Sequence, residues 1–286
     1  MHYELRHLRA FVAVVDQGTF TDAAIALEVS QATVSRTIAA FEQALGARVL
    51  HRTAREVGLT STGARVLPLA RRVLAQMEAI DRALADVSGD FRVGYAWGAF
   101  GGHTTTVQQR WAADTPGSHL VFVQSTSEVA GLEDGLVDVA VVRRPVDDDT
   151  EYDSALIGFE QRFAAVPADD VLARQQSLSL HDFVGRTVAV DQVTGTTTTD
   201  LWSAEAAPAA TRSVRGVDAW LGFIAAGEGV GLTSEATVQQ HPRPGVAYRP
   251  VRDAPPLPVW LAWPRDSARA GTAALVQLAC EVYGAA

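Results

Sequence analysis

The sequence predicts an α/β protein in three parts: a compact helical N-terminal domain, one long linker helix and a larger C-terminal domain. Three observations support this prediction. Apolar residues recur at helical spacing through the first 45 residues, a heptad pattern runs from residue 66 to residue 87, and strand-like and helix-like segments alternate from residue 88 onward. We therefore place the domain boundaries at 1–60, 61–87 and 88–286.

The composition is that of a globular protein without a membrane span. The chain has 286 residues, of which 48% are hydrophobic, and this length suffices for two or three compact domains. No apolar run approaches the ~20 residues that a membrane span needs. The chain starts without a signal-peptide pattern, and Cys280, the only cysteine, excludes an internal disulfide and a cysteine-rich zinc site. We expect a soluble cytoplasmic protein with no cofactor, no metal and no membrane partner.

The net charge of −9 is unevenly distributed along the chain. Residues 30–72 contain seven arginines and two acids, which gives this segment a charge of +5, whereas residues 87–286 carry a charge of −10. A locally basic segment can hold phosphates even in an acidic chain. The N-terminal domain is therefore the part expected to meet nucleic acid.

Helix start and stop signals in this domain predict a winged helix-turn-helix. The first helix stops at Gly18, and Thr19 begins the second. Ser30 is a good N-cap for a third helix, from about Gln31 to Leu45. Two short strands between residues 49 and 60 would form the wing. A helix-turn-helix reads double-stranded DNA by placing its second motif helix in the major groove.

The start of this third helix carries side chains suited to DNA. Hydroxyl and amide groups bond bases or phosphates, and arginine bonds guanine or phosphate. The predicted contacts on the helix are Ser30, Gln31, Ala32, Thr33, Ser35 and Arg36. The wing offers Arg52 and Arg55 to phosphates or to the minor groove. In the alternative interpretation, the helix residues form the ordinary solvated face of an amphipathic helix, and the two wing arginines contact only solvent.

The long helix, from about residue 60 to residue 86, has the apolar spacing of a coiled coil. Spacings of four and three residues alternate along the positions Val66, Ala70, Val73, Met77, Ile80, Leu84 and Val87. We predict that Val73, Met77, Ile80 and Leu84 form a dimer seam. The alternative is that the helix packs on its own domain.

Several N-terminal motifs resemble a known family. They are Leu8–Phe11, Gly18–Ala24, Val29–Gln31, Val34–Arg36, Ile38, Phe41-Glu42, Leu45-Gly46 and Leu59–Gly63. Together they look like the signature of the LysR-type regulators, and the match covers about the first 65 residues. One departure is Ala32, where the family often has proline. More loosely, Gly135–Val141 and Ala225–Gly231 look like motifs of the family's effector domain.

The resemblance implies a transcription regulator rather than an enzyme. It implies a C-terminal domain of two Rossmann-like lobes of the periplasmic-binding-protein type, joined by two crossover strands, with a small-molecule effector in the cleft between them. Lobe I would comprise about 88–160 plus 264–286, and lobe II about 161–263. It also implies a homodimer or homotetramer on an interrupted palindromic operator.

The alternating segments of the C-terminal domain predict a parallel sheet whose ligands bind beyond the carboxyl ends of the strands. The predicted strands are Phe91–Tyr95, His119–Val123, Val137–Val142, Thr187–Val190, Val230–Thr233 and Pro258–Trp263, and the predicted helices are Thr105–Ala113, Glu128–Gly135, Val217–Ala226 and Thr272–Tyr283. The segments after these strands supply the predicted effector-binding residues Trp97, Gly98, Ala99, Phe100, Ser125, Thr126, Ser127, Arg143, Arg144, Thr194 and Thr196.

Two ligand chemistries are open for this predicted site. Hydroxyls and the arginine pair Arg143-Arg144 suit a carboxylate or another anion, unless both arginines only make ion pairs, for example with Asp147–Asp149. The resemblance puts Gly98 and Ala99 where family members often carry serine or threonine. An apolar or bulkier effector against Trp97 and Phe100 is the alternative.

Other functions lack their motifs. Gly94, Gly98, Gly101 and Gly102 form a glycine-rich segment, but they do not spell the G-x-G-x-x-G of a nucleotide-cofactor enzyme. Hydrolase and zinc-protease motifs are absent from the sequence. A solute-binding module for transport shares the two-lobed fold, but it would need export, and the N-terminal DNA-binding motif does not fit it.

Overall fold

The computed structural model describes residues 3–52, 57–85, 89–125, 127–146, 151–191, 195–204 and 207–284. The chain forms two compact units. The first comprises Met1–Val87 together with Glu133–Leu136, and the second comprises Ser88–Leu132 together with Val137–Ala286. The division after residue 87 coincides with the end of the predicted linker helix.

The first unit begins with three short helices around an apolar core. They are α1 (Leu5–Gln17), α2 (Phe20–Ala26) and α3 (Gln31–Leu45). The hydroxyl of Thr19 accepts a hydrogen bond from the amide of Asp22 at 3.0 Å, which caps α2 as the sequence predicts. Gly18 ends α1 in the left-handed conformation at φ 74°, which glycine adopts without steric cost. Phe11 and Phe41 are fully buried where α1 meets α3.

Two strands follow the helices and pair antiparallel as a wing. They are β1 (Leu50–Arg52) and β2 (Val57–Leu59). Glu42 of α3 holds the start of the wing, because its Oε1 accepts hydrogen bonds from the amides of Val49 at 2.9 Å and Leu50 at 3.1 Å. One of the two acids in the basic segment therefore has a structural role.

The linker helix α4 (Ser61–Ala85) closes the first unit. Pro68 lies inside it and removes one helical hydrogen bond. Ala70 is buried and Val66 is partly buried in the core of α1–α3. The own-domain alternative is therefore correct for these two positions of the heptad pattern. Val73 and Ile80, in contrast, are 43% and 54% exposed.

Lobe I of the second unit is a five-stranded sheet in the order β4-β3-β5-β12-β6. Its strands are β3 (Phe91–Tyr95), β4 (Leu120–Gln124), β5 (Val139–Val142), β6 (Tyr152–Glu160) and β12 (Leu257–Pro264). The helices α5 (Thr104–Asp114) and α8 (Thr272–Tyr283) supply core residues such as Trp111 and Leu275.

Lobe II is a second five-stranded sheet, in the order β11-β7-β10-β8-β9. Its strands are β7 (Arg162–Pro167), β8 (Thr187–Asp191), β9 (Ala210–Val214), β10 (Val230–Ser234) and β11 (Val246–Pro250), and its helices are α6 (Val217–Ala225) and α7 (Glu235–Gln240). Short 3-10 turns lie at Gly101–His103 in lobe I and at Val171–Arg174, Leu180–Phe183 and Thr199–Leu201 in lobe II.

The structure corrects three expectations for the second unit. Both sheets are mixed, because β6, β7, β11 and β12 pair antiparallel with their neighbours. Of these four strands, only β12 was among the predicted strands. The segment Glu128–Gly135 forms turns instead of a helix, since Ala130 and Gly131 adopt positive φ values of 50° and 94°. The chain also returns to lobe I with β12 at Leu257, before the expected boundary at residue 263.

Candidate DNA interface and ligand cleft

The N-terminal turn of α3 presents a polar surface to solvent. Gln31, Ala32 and Arg36 are exposed, whereas Val34 and Ile38 on the opposite side are 1% and 2% exposed. This division follows from helical periodicity, since residues four apart share a face. Of the predicted contacts on this helix, Ser30, Gln31, Ala32 and Arg36 are therefore exposed, whereas Thr33 and Ser35 are half-buried.

The hydroxyl groups at this helix start also stabilise the helix itself. Ser30 Oγ accepts from the amide of Thr33 at 3.2 Å and lies 2.8 Å from Thr33 Oγ1. Ser35 is half-buried one turn further along. The hydroxyls of Ser30 and Thr33 thus take part in the helix cap. Gln31 and Arg36 are then the exposed side chains of this turn with the most hydrogen-bond donors.

The predicted wing arginines are only partly covered by the structure. The backbone of Arg52 pairs with Val57 at the end of β1, while its side chain lies outside the described residues, as does all of Arg55.

On α4, Met77 is half-buried, and the side chain of Leu84 lies outside the described residues. Val73, Met77 and Ile80 are therefore the residues of the predicted seam whose side chains the structure describes.

A cleft of about 700 Å³, which includes space open to solvent, lies between the two lobes of the second unit. Both sheets line it at the carboxyl ends of parallel strands, where the strand rule predicts a ligand site. Its lining residues are Ala96, Trp97, Glu128, Ala130, Val141, Val142, Arg143, Arg144, Ala189, Asp191, Gly195, Thr196, Thr197, Trp220, Leu232, Thr233, Ser234 and Thr237.

Arg143 lines the cleft but is bound within the protein. Its Nε and Nη2 donate to the Glu160 carboxylate at 3.0 and 2.8 Å, and Nη2 also donates to the carbonyl of Ala99 at 2.8 Å. Burial lowers the pKa of this guanidinium, but the charge and hydrogen bonds of Glu160 outweigh burial and raise the pKa above its ordinary value. Arg143 is therefore already paired with a carboxylate of the protein, and its expected role as the anchor of an anion stays a prediction.

Glu160 connects the two lobes. Burial raises the pKa of its carboxyl, but the charge and hydrogen bond of Arg143 outweigh burial and hold that pKa below its ordinary range, with further hydrogen bonds from Ser234 and the amide of Ala236 in lobe II. Tyr283 of lobe I also donates to Glu160 Oε1 at 3.2 Å. The carboxylate is thus stabilised as an anion by donors from both lobes.

Arg144 pairs with Glu128 at 3.2 Å, and both side chains are largely exposed. The alternative that this arginine makes a surface ion pair is therefore the one that the structure shows, with Glu128 as the partner. Asp147–Asp149, the partner considered from the sequence, lies outside the described residues.

The remaining predicted effector residues are divided between the cleft and the core. Trp97 and Thr196 line the cleft, whereas Phe100 is fully buried against Phe122 and does not form the expected apolar wall. Gly98 and Ala99 are buried beside Arg143. Ser125 and Ser127 lie outside the lining and bond one another at 3.1 Å. Thr126 and Thr194 lie outside the described residues.

The glycine-rich segment has a packing role. A Cβ at Gly98 would lie 2.8 Å from the Cβ of Ala236 on α7, and one at Gly101 would lie 3.0 Å from the same atom. Gly101 also has φ 57°, a conformation that favours glycine. These glycines let lobe I approach α7 of lobe II closely.

Several cleft residues were missed from the sequence. Asp191 ends β8, and its Oδ2 accepts from the amide of Gly216 at 2.8 Å. Trp220 of α6 donates from Nε1 to the carbonyl of Ala189 at 3.0 Å and meets Trp97 edge-on, with ring centroids 5.4 Å apart. The strand rule could have found Asp191, but Trp220 reads in the sequence as an ordinary apolar residue of a helix.

The described residues contain no cluster of three or more metal-ligating side chains. No described helix combines the length and the apolar character that crossing a bilayer requires.

Comparison with known proteins identifies both units. Residues 5–64 match the family model described as bacterial regulatory helix-turn-helix protein, lysR family, and residues 85–283 match the LysR substrate binding domain. The regulator TfdS of Cupriavidus pinatubonensis (strain JMP 134 / LMG 1197) is 32% identical over 280 residues, which cover 92% of this chain and 93% of TfdS. The regulator ShiR of Corynebacterium glutamicum (strain R) is 28% identical over 299 residues, with coverage of 98% and 99%.

A solved structure shows the same fold along the whole chain. CbnR, a LysR family transcriptional regulator, superposes with a TM-score of 0.70 at 21% identity and covers 98% of this chain and 99% of its own. The two family matches and the full-length relatives agree on transcription regulation rather than enzymatic activity. The chain belongs to the LysR family of transcriptional regulators.

Proposed function

We propose that this regulator binds its operator through the N-terminal turn of α3 and responds to a small molecule held in the cleft between its lobes. The observation that carries the DNA proposal is the exposed pair Gln31 and Arg36 at the start of a helix whose opposite face is buried. Helix-turn-helix proteins place this turn against base edges in the major groove. Because its operator is in the cell's DNA, we place the protein in the cytoplasm.

The DNA proposal is tested with operator fragments that the purified protein selects from the genome of its source. Arg36→Ala should weaken operator binding by about 1–3 kcal/mol at fixed salt if the arginine pairs with guanine. Arg9→Ala is the matched control, because Arg9 is an exposed arginine of α1 in the same domain. Equal affinities of Arg36→Ala and the parent protein would remove Arg36 from the interface.

We assign the wing arginines to phosphate contacts. Arg52→Ala or Arg55→Ala should weaken binding to all DNA sequences alike and flatten its salt dependence, since each phosphate contact releases counterions. A variant that relaxes the preference at one base pair only would show that the wing reads sequence.

Self-association is proposed through the exposed apolar residues of α4. Val73 and Ile80 are seven residues apart, so they share a helix face, and both are more than 40% exposed. Leu69, one turn before Val73, is 61% exposed as well, and contiguous apolar exposure marks an interaction surface. Placing glutamates there would force like charges together in an apolar contact.

The variant Val73→Glu/Ile80→Glu should therefore sediment as a monomer where the parent protein sediments as a dimer or a tetramer. Ala64→Glu adds one such charge at an exposed position nearer the start of α4 and should keep the parent's state. A double variant with the parent's sedimentation coefficient would exclude this face as the seam.

The ligand proposal rests on the position of the cleft, at the carboxyl ends of strands in both lobes. A ligand that contacts both lobes would favour one of two pre-existing arrangements of the protein. Thr196→Trp should fill the cleft from a half-buried lining position, whereas Thr198→Trp places the same side chain at an exposed position outside the lining. A thermal-shift screen of metabolites should give a hit that Thr196→Trp abolishes and Thr198→Trp keeps. A hit that both variants keep would move the effector site elsewhere.

A further inference from the structure

The described guanidinium groups of the cleft are already neutralised by carboxylates. Arg143 is held by both oxygens of Glu160, and Arg144 lies 3.2 Å from Glu128. One further lining carboxylate, Asp191, adds negative charge beyond these two pairs. Among the described lining residues, no arginine is therefore left without a carboxylate partner to meet an incoming anion.

A carboxylate ligand would consequently lose its hydration at a site whose arginines are already paired with carboxylates. Removing a charged group from water is costly unless a partner of opposite charge receives it. Glu160 already balances the charge of Arg143, and it is itself held by hydrogen bonds from Ser234 and Tyr283. The charges of the cleft thus disfavour an anion.

The aromatic residues of the cleft indicate what it accepts instead. Trp97 and Trp220 meet edge-on, with an interplanar angle of 61°, and both line the cleft. Trp220 Nε1 already donates to a carbonyl, whereas Trp97 Nε1 is buried and has no acceptor among the described residues. Buried indole N–H groups usually find a partner. Trp260 Nε1 also lacks an acceptor among the described residues, but Trp97 is the one of the two that lines the cleft, where a ligand atom can supply the acceptor.

We infer that the ligand of this cleft is an uncharged aromatic molecule that carries a hydrogen-bond acceptor for the indole of Trp97. This inference rests on the proposed role of the cleft and specifies the chemical class of its effector. The rings of Trp97 and Trp220 supply the aromatic contacts, and the paired arginines complete a wall with little net positive charge.

The experiment is isothermal titration calorimetry on the full-length protein with matched amides and acids. The probes are indole-3-acetamide against indole-3-acetate and benzamide against benzoate, each up to its solubility. Each pair differs in the charge of one group while the ring and the carbonyl acceptor are kept. We expect at least one amide to bind about tenfold or more tightly than its acid, because only the acid must bury a negative charge. A tenfold difference in affinity corresponds to about 1.4 kcal/mol.

Variants assign the binding to the indole donor. Trp97→Phe keeps an aromatic ring and removes Nε1, so it should lower the amide's affinity about fivefold to tenfold, the loss of one hydrogen bond. Trp263→Phe is the matched control, since Trp263 packs on the core of lobe I and is not among the lining residues. The ranking of amide over acid is measured on the unchanged protein, so it stands even if Trp97→Phe folds poorly.

The outcomes separate this inference from the proposed role of the cleft. Acids that bind more tightly than amides, with binding abolished by Thr196→Trp, would overturn the inference and leave the cleft as the effector site. Binding that Thr196→Trp leaves unchanged would overturn the proposed role of the cleft. If neither amide binds, the inference also fails, while the metabolite screen still tests the cleft.

Discussion

Removing one member of the buried Arg143–Glu160 pair should strongly destabilise the second unit. The Glu160→Gln substitution keeps the shape of the side chain and removes its charge, so Arg143 would remain buried without a counterion. The two side chains are only 11% and 6% exposed, and removing one member of such a pair costs about 3–5 kcal/mol. We expect the lower end, about 3 kcal/mol, because the carbonyls of Gly98 and Ala99 still accept from Arg143.

Urea unfolding followed by tryptophan fluorescence measures this effect selectively. All six tryptophans lie beyond residue 96, in the second unit. Asp153→Asn is the matched control, because Asp153 lies on the same strand and forms an ion pair with Arg265, but both side chains are more than 40% exposed. Such exposed pairs contribute about 0–1 kcal/mol. If Glu160→Gln costs no more than Asp153→Asn, the buried pair does not stabilise the second unit as argued.

The same variant predicts a change in acid stability. The pKa of Glu160 is lowered in the folded protein, so its stabilisation is present above the unfolded carboxyl pKa of about 4.3 and is lost as the pH falls through the lower folded value. The free energy of unfolding of the parent protein should therefore fall with acidification in this window. The Glu160→Gln profile should be flatter there, and parallel profiles would contradict the assigned direction.

Two further predictions concern local structure in each unit. Ser30→Ala should destabilise the first unit by about 1 kcal/mol through loss of the α3 cap, as measured by thermal unfolding with far-ultraviolet circular dichroism. The control Ser35→Ala, inside the helix, should not destabilise this unit. Equal losses of stability in the two variants would exclude the cap as the cause. Gly231→Ala should destabilise the second unit by about 1–3 kcal/mol in urea, because the new Cβ would lie 2.0 Å from Trp220 Cζ2. The control Gly222→Ala meets nothing within 4 Å and should stabilise α6. A Gly231→Ala variant of unchanged stability would mean that Trp220 can move aside.

The first unit could be predicted from the sequence because its signals are local. Thr19 and Ser30 cap helices within three residues of themselves, and Val34 and Ile38 are buried as the spacing along α3 predicts. The long linker helix was also predicted nearly to its ends. Its packing was not, since a heptad pattern specifies one apolar face without stating whether a partner chain or the domain's own core covers it.

The second unit shows where this reasoning stops. Apolar strands such as β3 and β8 were predicted, but strands with polar or mixed sequences, such as β9, were not. Their residues are strand-forming only in the context of neighbours that complete the hydrogen-bond ladder. The antiparallel pairing of β12 with β5 and β6 joins segments about 100 residues apart, and no local pattern encodes such a contact.

The sequence by itself determined the order of the domains, the helix-turn-helix and the strand ends near which a ligand site should lie, because these follow from periodicity, capping and the direction of strands. Only the tertiary structure decided the chemistry of the cleft. The sequence shows Arg143 as a cation at the end of a strand, but Glu160 lies 17 residues away and neutralises it. Whether a charge is available to a ligand depends on which groups folding brings to within hydrogen-bond distance of it, and that is a property of three-dimensional packing.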